Sequence, residues 1–151
     1  MKIITVSGAH SGVGKTRVVE ALLKALKGWS ALKVTVLHKG SCPVHRDCGA
    51  CDAMDGRFSI VSDNSPGKDT GRFMSAGAKD VLWLRARREG LKEGIKEALL
   101  RFKGAKGLIV EGTSILRHLR PDLSILIKNR GSRLKPSAKE ALKKVDIVLT
   151  V

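Results

Sequence analysis

Apolar positions along the chain follow two rhythms. Short runs rich in β-branched and aliphatic residues, KIITV (2–6), KVTVLH (33–38), FSIV (58–61), DVLWL (80–84), GLIVE (107–111), LSILI (123–127) and DIVLTV (146–151), have the length and composition of strands. Most are apolar on both sides of the pleat, as strands covered on two faces must be. Between the first two runs, residues 15–27 set Val18, Leu22 and Leu26 on one helical stripe with Val19 and Leu23 beside it. The spacing of Leu91, Ile95, Leu99 and Phe102 predicts a helix over 89–103, although Gly94 in its middle weakens helix propensity. Residues 136–144 read as a short helix with proline in its first turn. Strands alternating with helices predict crossover connections and therefore an α/β, three-layer sandwich with a mostly parallel sheet.

The chain of 151 residues has the size of one domain (1–151), with no internal repeat and no linker. Two stretches interrupt the alternation: 40–56, which carries all three cysteines, and 63–72, DNSPGKDTGR. Long irregular insertions in compact α/β domains usually carry function. No apolar stretch approaches the roughly 20 residues that a membrane helix needs, and Lys2 is followed by too few apolar residues for a signal peptide. The expected location is the cytoplasm, away from membranes.

Chemistry enters with SGAHSGVGKT (7–16). It fits G-x-x-x-x-G-K-S/T with Ala9 in the place of the first glycine. A glycine-rich turn can match such a string by chance, but this one follows an expected strand and heads an expected amphipathic helix, where a phosphate loop has to lie. Glycines allow successive backbone N–H groups to turn toward a phosphate, and a helix N-terminus adds partial positive charge. Gly12, Val13, Gly14, Lys15, Thr16 and Arg17 are thus the candidate nucleotide-binding residues. Lys15 would reach the β- and γ-phosphates, and the Thr16 hydroxyl would hold Mg2+. Glu111, closing GLIVE, is the acid expected near the ion, the alternative being an ordinary strand-end glutamate. The fold implied is that of the phosphate-loop (P-loop) NTPases.

SCPVHRDCGAC (41–51) spaces Cys42, His45, Cys48 and Cys51 two residues apart. Thiolate and imidazole at such spacing suit a tetrahedral Zn2+, so 40–56 is expected to be a metal-binding insertion. An iron–sulfur cluster, a site shared by two chains, or free thiols are the alternatives. His10 occupies a variable position of the phosphate loop, His118 reads as a solvated surface residue, and Trp29 and Trp83 are expected in or at the edge of the core.

The net charge is +15, with 29 Lys and Arg against 14 Asp and Glu. Such a surplus attracts polyanions. With aromatic residues at 3%, a stacking surface for single strands is poorly supplied. The basic residues are also dispersed, in RARR (85–88), RHLR (117–120) and KNRGSRLK (128–135). A basic nucleic-acid-binding module is therefore an alternative, a solvated surface that attracts a phosphorylated small molecule accounts for the charge at least as well, and a thermophilic source would also enrich lysine.

HSGVGKT (10–16), SPGKDTGRFMSAGA (65–78) and IVEGTS (109–114) together resemble the molybdopterin-guanine dinucleotide biosynthesis protein B family, with PGKDT (66–70) and AGA (76–78) the most specific part. LHK (37–39) partly matches that family's Lys/His segment, which places His38 there, whereas the cysteine cluster departs from the pattern. The resemblance implies a small, dimeric GTP-binding protein with slow GTP hydrolysis. It would assist a molybdopterin guanylyltransferase or a molybdoenzyme. Lys15, Asp69 and Glu111 would be its catalytic residues, with Asp69 and Glu111 near the Mg2+. Asp69 could also ligate the ion or orient a water on chemical grounds, with Lys68 and Arg72 complementing phosphate charge. The alternative is that PGKDTG is a β-turn leading to a helix capped by Asp69 or Thr70. Asn129, ending a late strand, would contact the purine through its donor and acceptor. No N/T-K-x-D guanine motif is visible, so GTP over ATP follows from the resemblance. GVGKT with the later VEG is also similar to dethiobiotin synthetase, an ATP-dependent ligase, but PGKDT with AGA has no place there.

Overall fold

A computed structural model describes residues 1–37, 54, 56–62, 64–131 and 133–151. The four candidate metal ligands Cys42, His45, Cys48 and Cys51, together with His38 and Lys39, lie outside the described residues. In chain order the elements are β1 (Lys2–Gly8), α1 (Lys15–Ala25), β2 (Ser30–Leu37), β3 (Phe58–Val61), α2 (Asp69–Ser75), β4 (Val81–Arg87), α3 (Leu91–Arg101), β5 (Gly107–Glu111), β6 (Leu123–Lys128), α4 (Pro136–Leu142) and β7 (Ile147–Thr150), with 3-10 turns at Arg88–Gly90 and Ser114–Arg117. Among the described residues the strands form one sheet of order β3-β4-β2-β5-β1-β6-β7. Its pairings are parallel except for β3, which runs antiparallel to β4.

Helices cover both faces. On one, Val19 and Leu23 of α1 and Phe73 of α2 pack on Val6, Ala31, Ile109 and Ile127. On the other, Leu91, Ile95 and Ala98 of α3 and Ala141 of α4 pack on Leu32, Leu84, Val110 and Leu126. Ile109 and Val110 are neighbours in the chain yet belong to opposite clusters, because the pleat sends successive side chains to opposite faces. This is why β5 is buried along its whole length.

Gly94 is needed where it stands. A β-carbon at this position would lie 2.7 Å from Leu84 Cδ1 and 3.1 Å from Phe58 Cγ, so its bare backbone lets α3 sit directly on β4 and β3. Close packing outweighs the propensity cost that argued against a helix. Trp29 is partly buried against the α1 cluster. Trp83 is half-buried and donates from its indole N–H to Thr35 Oγ1 at 2.9 Å. At the far edge β7 is exposed along its length. It is tied in by Asp146, which accepts hydrogen bonds from the Ser124 amide (2.8 Å) and hydroxyl (2.6 Å).

Two registers shape the site. Lys33 of β2 pairs with Glu111, the last residue of β5, so Val34 to Leu37 continue beyond β5 and pair with β4. The parallel strands meanwhile end at one edge of the sheet, the edge at which open α/β sheets bind ligands.

Candidate functional site

At that edge β1 runs out at Gly8 and the chain turns through residues 9–14 into α1. Gly14 precedes the helix with φ 102° and ψ 12°, a left-handed conformation that costs a side chain dearly, and Gly12 has φ 76°. Among the described residues no side chain caps the first turn of α1, so its amides remain for an anion. The loop is anchored by the Ala9 amide donating to the Ile127 carbonyl at 2.8 Å. Lys15 Nζ donates to the His10 carbonyl at 3.4 Å, lying back across the loop it belongs to.

PGKDT comes to this loop from the side. Ser65 to Lys68 form a turn closed by the Lys68 amide on the Ser65 carbonyl (3.2 Å), with Gly67 at φ 84° in its third position. The helix α2 follows at once. Neither Asp69 nor Thr70 caps it: the cap position belongs to Lys68, without a side-chain cap bond, and Asp69 is the first helical residue. Its carboxylate points to the phosphate loop instead. Asp69 Oδ1 accepts from the Thr16 hydroxyl at 3.1 Å, and Oδ2 accepts from Lys33 Nζ. Burial raises the Asp69 pKa, but the hydrogen bond and charge of Lys33, the Thr16 hydrogen bond and the Arg72 charge outweigh it and hold the carboxyl below its ordinary range.

Glu111 completes the group. It is 6% exposed, and its Oε2 is buried with no hydrogen-bond partner among the described residues. Burial pushes its pKa up; Lys15 opposes this and the Asp69 charge adds to it. Gly112 and Thr113 are tied to the end of β1, with the Gly8 amide donating to Thr113 Oγ1 at 3.2 Å.

These residues line a cavity of about 1110 Å³. The structure brings Gly12, Val13, Gly14, Lys15, Thr16, Arg17, Asp69 and Glu111 to it together. Asn129 is placed differently: its Oδ1 lies 3.0 Å from His10 Nε2, so it borders the phosphate loop and is not among the residues that line the cavity. Arg72 lines the cavity but is held by Glu20 of α1 through two 2.8 Å hydrogen bonds. Lys68 faces a smaller side pocket with Lys33 and Trp83.

Three residues carry more than sequence reasoning assigned to them. Lys33, the clamp on Asp69, left one signal, a charge within an otherwise apolar strand. Lys135 also lines the cavity, its amide 3.4 Å from the Ala9 carbonyl; burial and the nearby Lys15 lower its pKa. His118, though exposed, is part of the cavity wall, as are Arg88 and Arg117.

The donor set suits Mg2+. A hydroxyl and two carboxylates are hard oxygen ligands, and an ion bound mainly by phosphates and water needs only one or two carboxylates from the protein. The unpartnered Glu111 oxygen is a buried acceptor of the kind a cation or its water would satisfy. Among the described residues there is no cluster of three or more His, Cys, Asp or Glu side chains, and no helix is long and apolar enough to cross a membrane.

Comparison with protein-family models finds no match, and comparison with curated proteins finds none. Among solved structures, the "apo" form of LpxK from Aquifex aeolicus, crystallised in complex with ATP, shares the fold with a TM-score of 0.59 and 19% identity. The likeness covers 100% of this chain and 48% of that one, so the chain spans about half of its length. The fold is that of the P-loop NTPases, α/β with a mostly parallel sheet.

Proposed function

We propose that the protein is a Mg2+-dependent GTP-binding protein that assists molybdenum cofactor maturation, at the step making molybdopterin guanine dinucleotide. It hydrolyses GTP slowly unless a partner enzyme engages it. The observation that carries the reading is the meeting of Asp69 with Thr16: the segment most specific to the resembling family ends on the hydroxyl of the phosphate loop. Loop amides and Lys15 would bind the β- and γ-phosphates, with Lys135 adding positive charge. Thr16, Asp69 and Glu111 would hold Mg2+, which neutralises phosphate charge when bound. Asp69, kept ionised by Lys33, is suited to orient a water on the ion or the attacking water itself.

Calorimetry with GTP, ATP and their diphosphates, with and without Mg2+, tests the reading. Expected is one site per chain, Mg2+-dependent and tighter for GTP. Equal or better binding of ATP removes the guanine assignment, and no binding removes the reading as a whole. A molybdopterin guanylyltransferase should raise the hydrolysis rate. Light scattering tests the homodimer that the resemblance implies, and elemental analysis tests Zn2+ at Cys42, His45, Cys48 and Cys51, with iron as the alternative result.

A second reading has its own support. The cavity continues along Val34 and Val36, past the residues a nucleotide's phosphates would occupy. An ATP-dependent ligase or kinase acting on a small molecule would use that space, and phosphate release that depends on an added carboxylate would favour it.

A further inference from the structure

The cavity has two unlike ends. Its acids, Asp69 and Glu111, sit with the phosphate loop, whereas the wall set apart from that loop by the fold is basic: Arg88 follows β4, which β2 and β5 separate from β1, and Arg117 and His118 follow β5 on the face that carries α3 and α4, opposite α1. Among the described residues no carboxylate of that wall lines the cavity itself; Glu140, outside the lining, pairs with Arg117 and also feels the charge of Arg88. Between the two ends runs an apolar floor of Val34 and Val36, from the part of β2 beyond β5, with Leu91 from the start of α3.

Size points the same way. Sites for single small ligands span roughly 300–1000 Å³, and this cavity reaches about 1110 Å³. Charge agrees as well. With Arg72 matched by Glu20 and Arg117 by Glu140 through two short hydrogen bonds, the lining still holds Lys15, Arg17, Lys33, Arg88 and Lys135 against two carboxylates. A Mg2+–nucleoside triphosphate would occupy the loop end and leave the basic wall facing unfilled space.

We propose that the far wall binds a second small molecule beside the nucleotide, one with an apolar or planar body lying on Val34, Val36 and Leu91 and a phosphate or carboxylate held by Arg88 and His118. This rests on the nucleotide reading above and adds the chemical class of the co-ligand. Arg117 is the positioning residue: its bidentate pair with Glu140, at 2.7 and 2.6 Å, ties the turn carrying His118 to α4 and so sets the wall's shape. Burial and the charges of Lys92, Arg117 and Lys144 lower the His118 pKa, so at neutral pH the ring offers a hydrogen bond and Arg88 the charge.

Phenyl phosphate, an aromatic body with one phosphate, is the probe, and benzyl alcohol its uncharged control. Both are titrated by calorimetry into protein saturated with Mg2+ and the β,γ-imido analogue of GTP. Expected is one phenyl phosphate per nucleotide-loaded chain and no binding of benzyl alcohol. Arg88→Ala should weaken the probe at least fivefold, Arg88→Lys should restore part of it, and His118→Gln should weaken it less, while affinity for the analogue stays unchanged. The proposal is overturned if the loaded protein does not take up the probe, if the analogue displaces it from the unloaded protein, or if Arg88→Ala and His118→Gln bind it like wild type. Failure of wild type to bind the analogue would instead sink the nucleotide reading. In that case the same variants titrated without nucleotide still decide the far wall.

Discussion

Lys33 shows how one side chain can set the state of a site. Its ammonium bonds the Asp69 carboxylate, whose other oxygen takes the Thr16 hydroxyl, so strand, helix and phosphate loop meet on one carboxyl group. It also lies 5.6 Å from the Trp83 ring centre, a second contact favouring this position. Replacing it by methionine keeps the stem and removes the charge. The Asp69 carboxyl should then titrate at higher pH than in wild type, because burial would lose its main opponent. Carboxyl-carbon NMR titration measures this, and an unmoved Asp69 would show that Lys33 does not control it. On the proposed reading, Lys15 would act on the ligand itself. Lys15→Ala removes a charge-assisted hydrogen bond to phosphate, worth about 1.5–3 kcal/mol, and should weaken GTP by about ten- to a hundredfold in calorimetry. Unchanged affinity would overturn the phosphate-loop assignment.

At the scale of elements, α3 depends on an absence. Because Gly94 has no side chain, the helix lies close against Leu84 and Phe58, and Leu91 at its start can form the floor of the cavity. Gly94→Val gains a little helix propensity but forces two methyl groups into filled space. Overpacking of this kind costs about 1–3 kcal/mol, so the urea midpoint should fall with the slope unchanged. A midpoint at or above wild type would mean that α3 shifts away without cost. The element α2 works in the opposite sense, by what it carries. It begins directly after the 65–68 turn, which places Asp69 in its first turn, where a carboxylate also complements the helix dipole.

Across the whole molecule, hydrogen bonds and positive charges together favour ionised carboxylates. Asp69, Asp122, Asp146 and Glu140 all have pKa values below their ordinary ones. The causes are burial outweighed by Lys33 for Asp69, the Ile3 amide and Lys2 for Asp122, Ser124 for Asp146, and Arg117 for Glu140. Each binds its proton less readily folded than unfolded. Their stabilisation is therefore complete above the ordinary value, 3.8 for the aspartates, and is lost as pH falls through the lowered one. Glu111 has the opposite sign, since its raised pKa favours folding with the proton on and withdraws that contribution as pH rises through it. The net expectation is a protein that loses stability below about pH 4. Asp146→Asn should be less stable at pH 7 and lose less between pH 5 and pH 3, as followed by urea denaturation. An acid dependence identical to wild type would exclude Asp146 from it.

Among the described residues, seven strands and three of the four helices were legible in the chain because their signals are local. Apolar runs mark buried strands, a stripe at 3.6-residue spacing marks a helix face, and Lys15, Thr16 and Glu111 follow from a motif at a strand end. The approach of Asp69 to the phosphate loop was expected from the resemblance, whereas the direction of β3, the pairing of Asp69 with Lys33 and the basic wall of Arg88, Arg117 and His118 were not legible. Each depends on which strand lies beside which: Lys33 meets Glu111 because β2 lies next to β5 in the sheet. Sequence alone thus determined that a glycine-rich turn of phosphate-loop pattern joins the first strand to the first helix. Only the tertiary structure decided what faces that turn, because facing groups come from distant segments whose relative positions are set by burying both sides of one sheet.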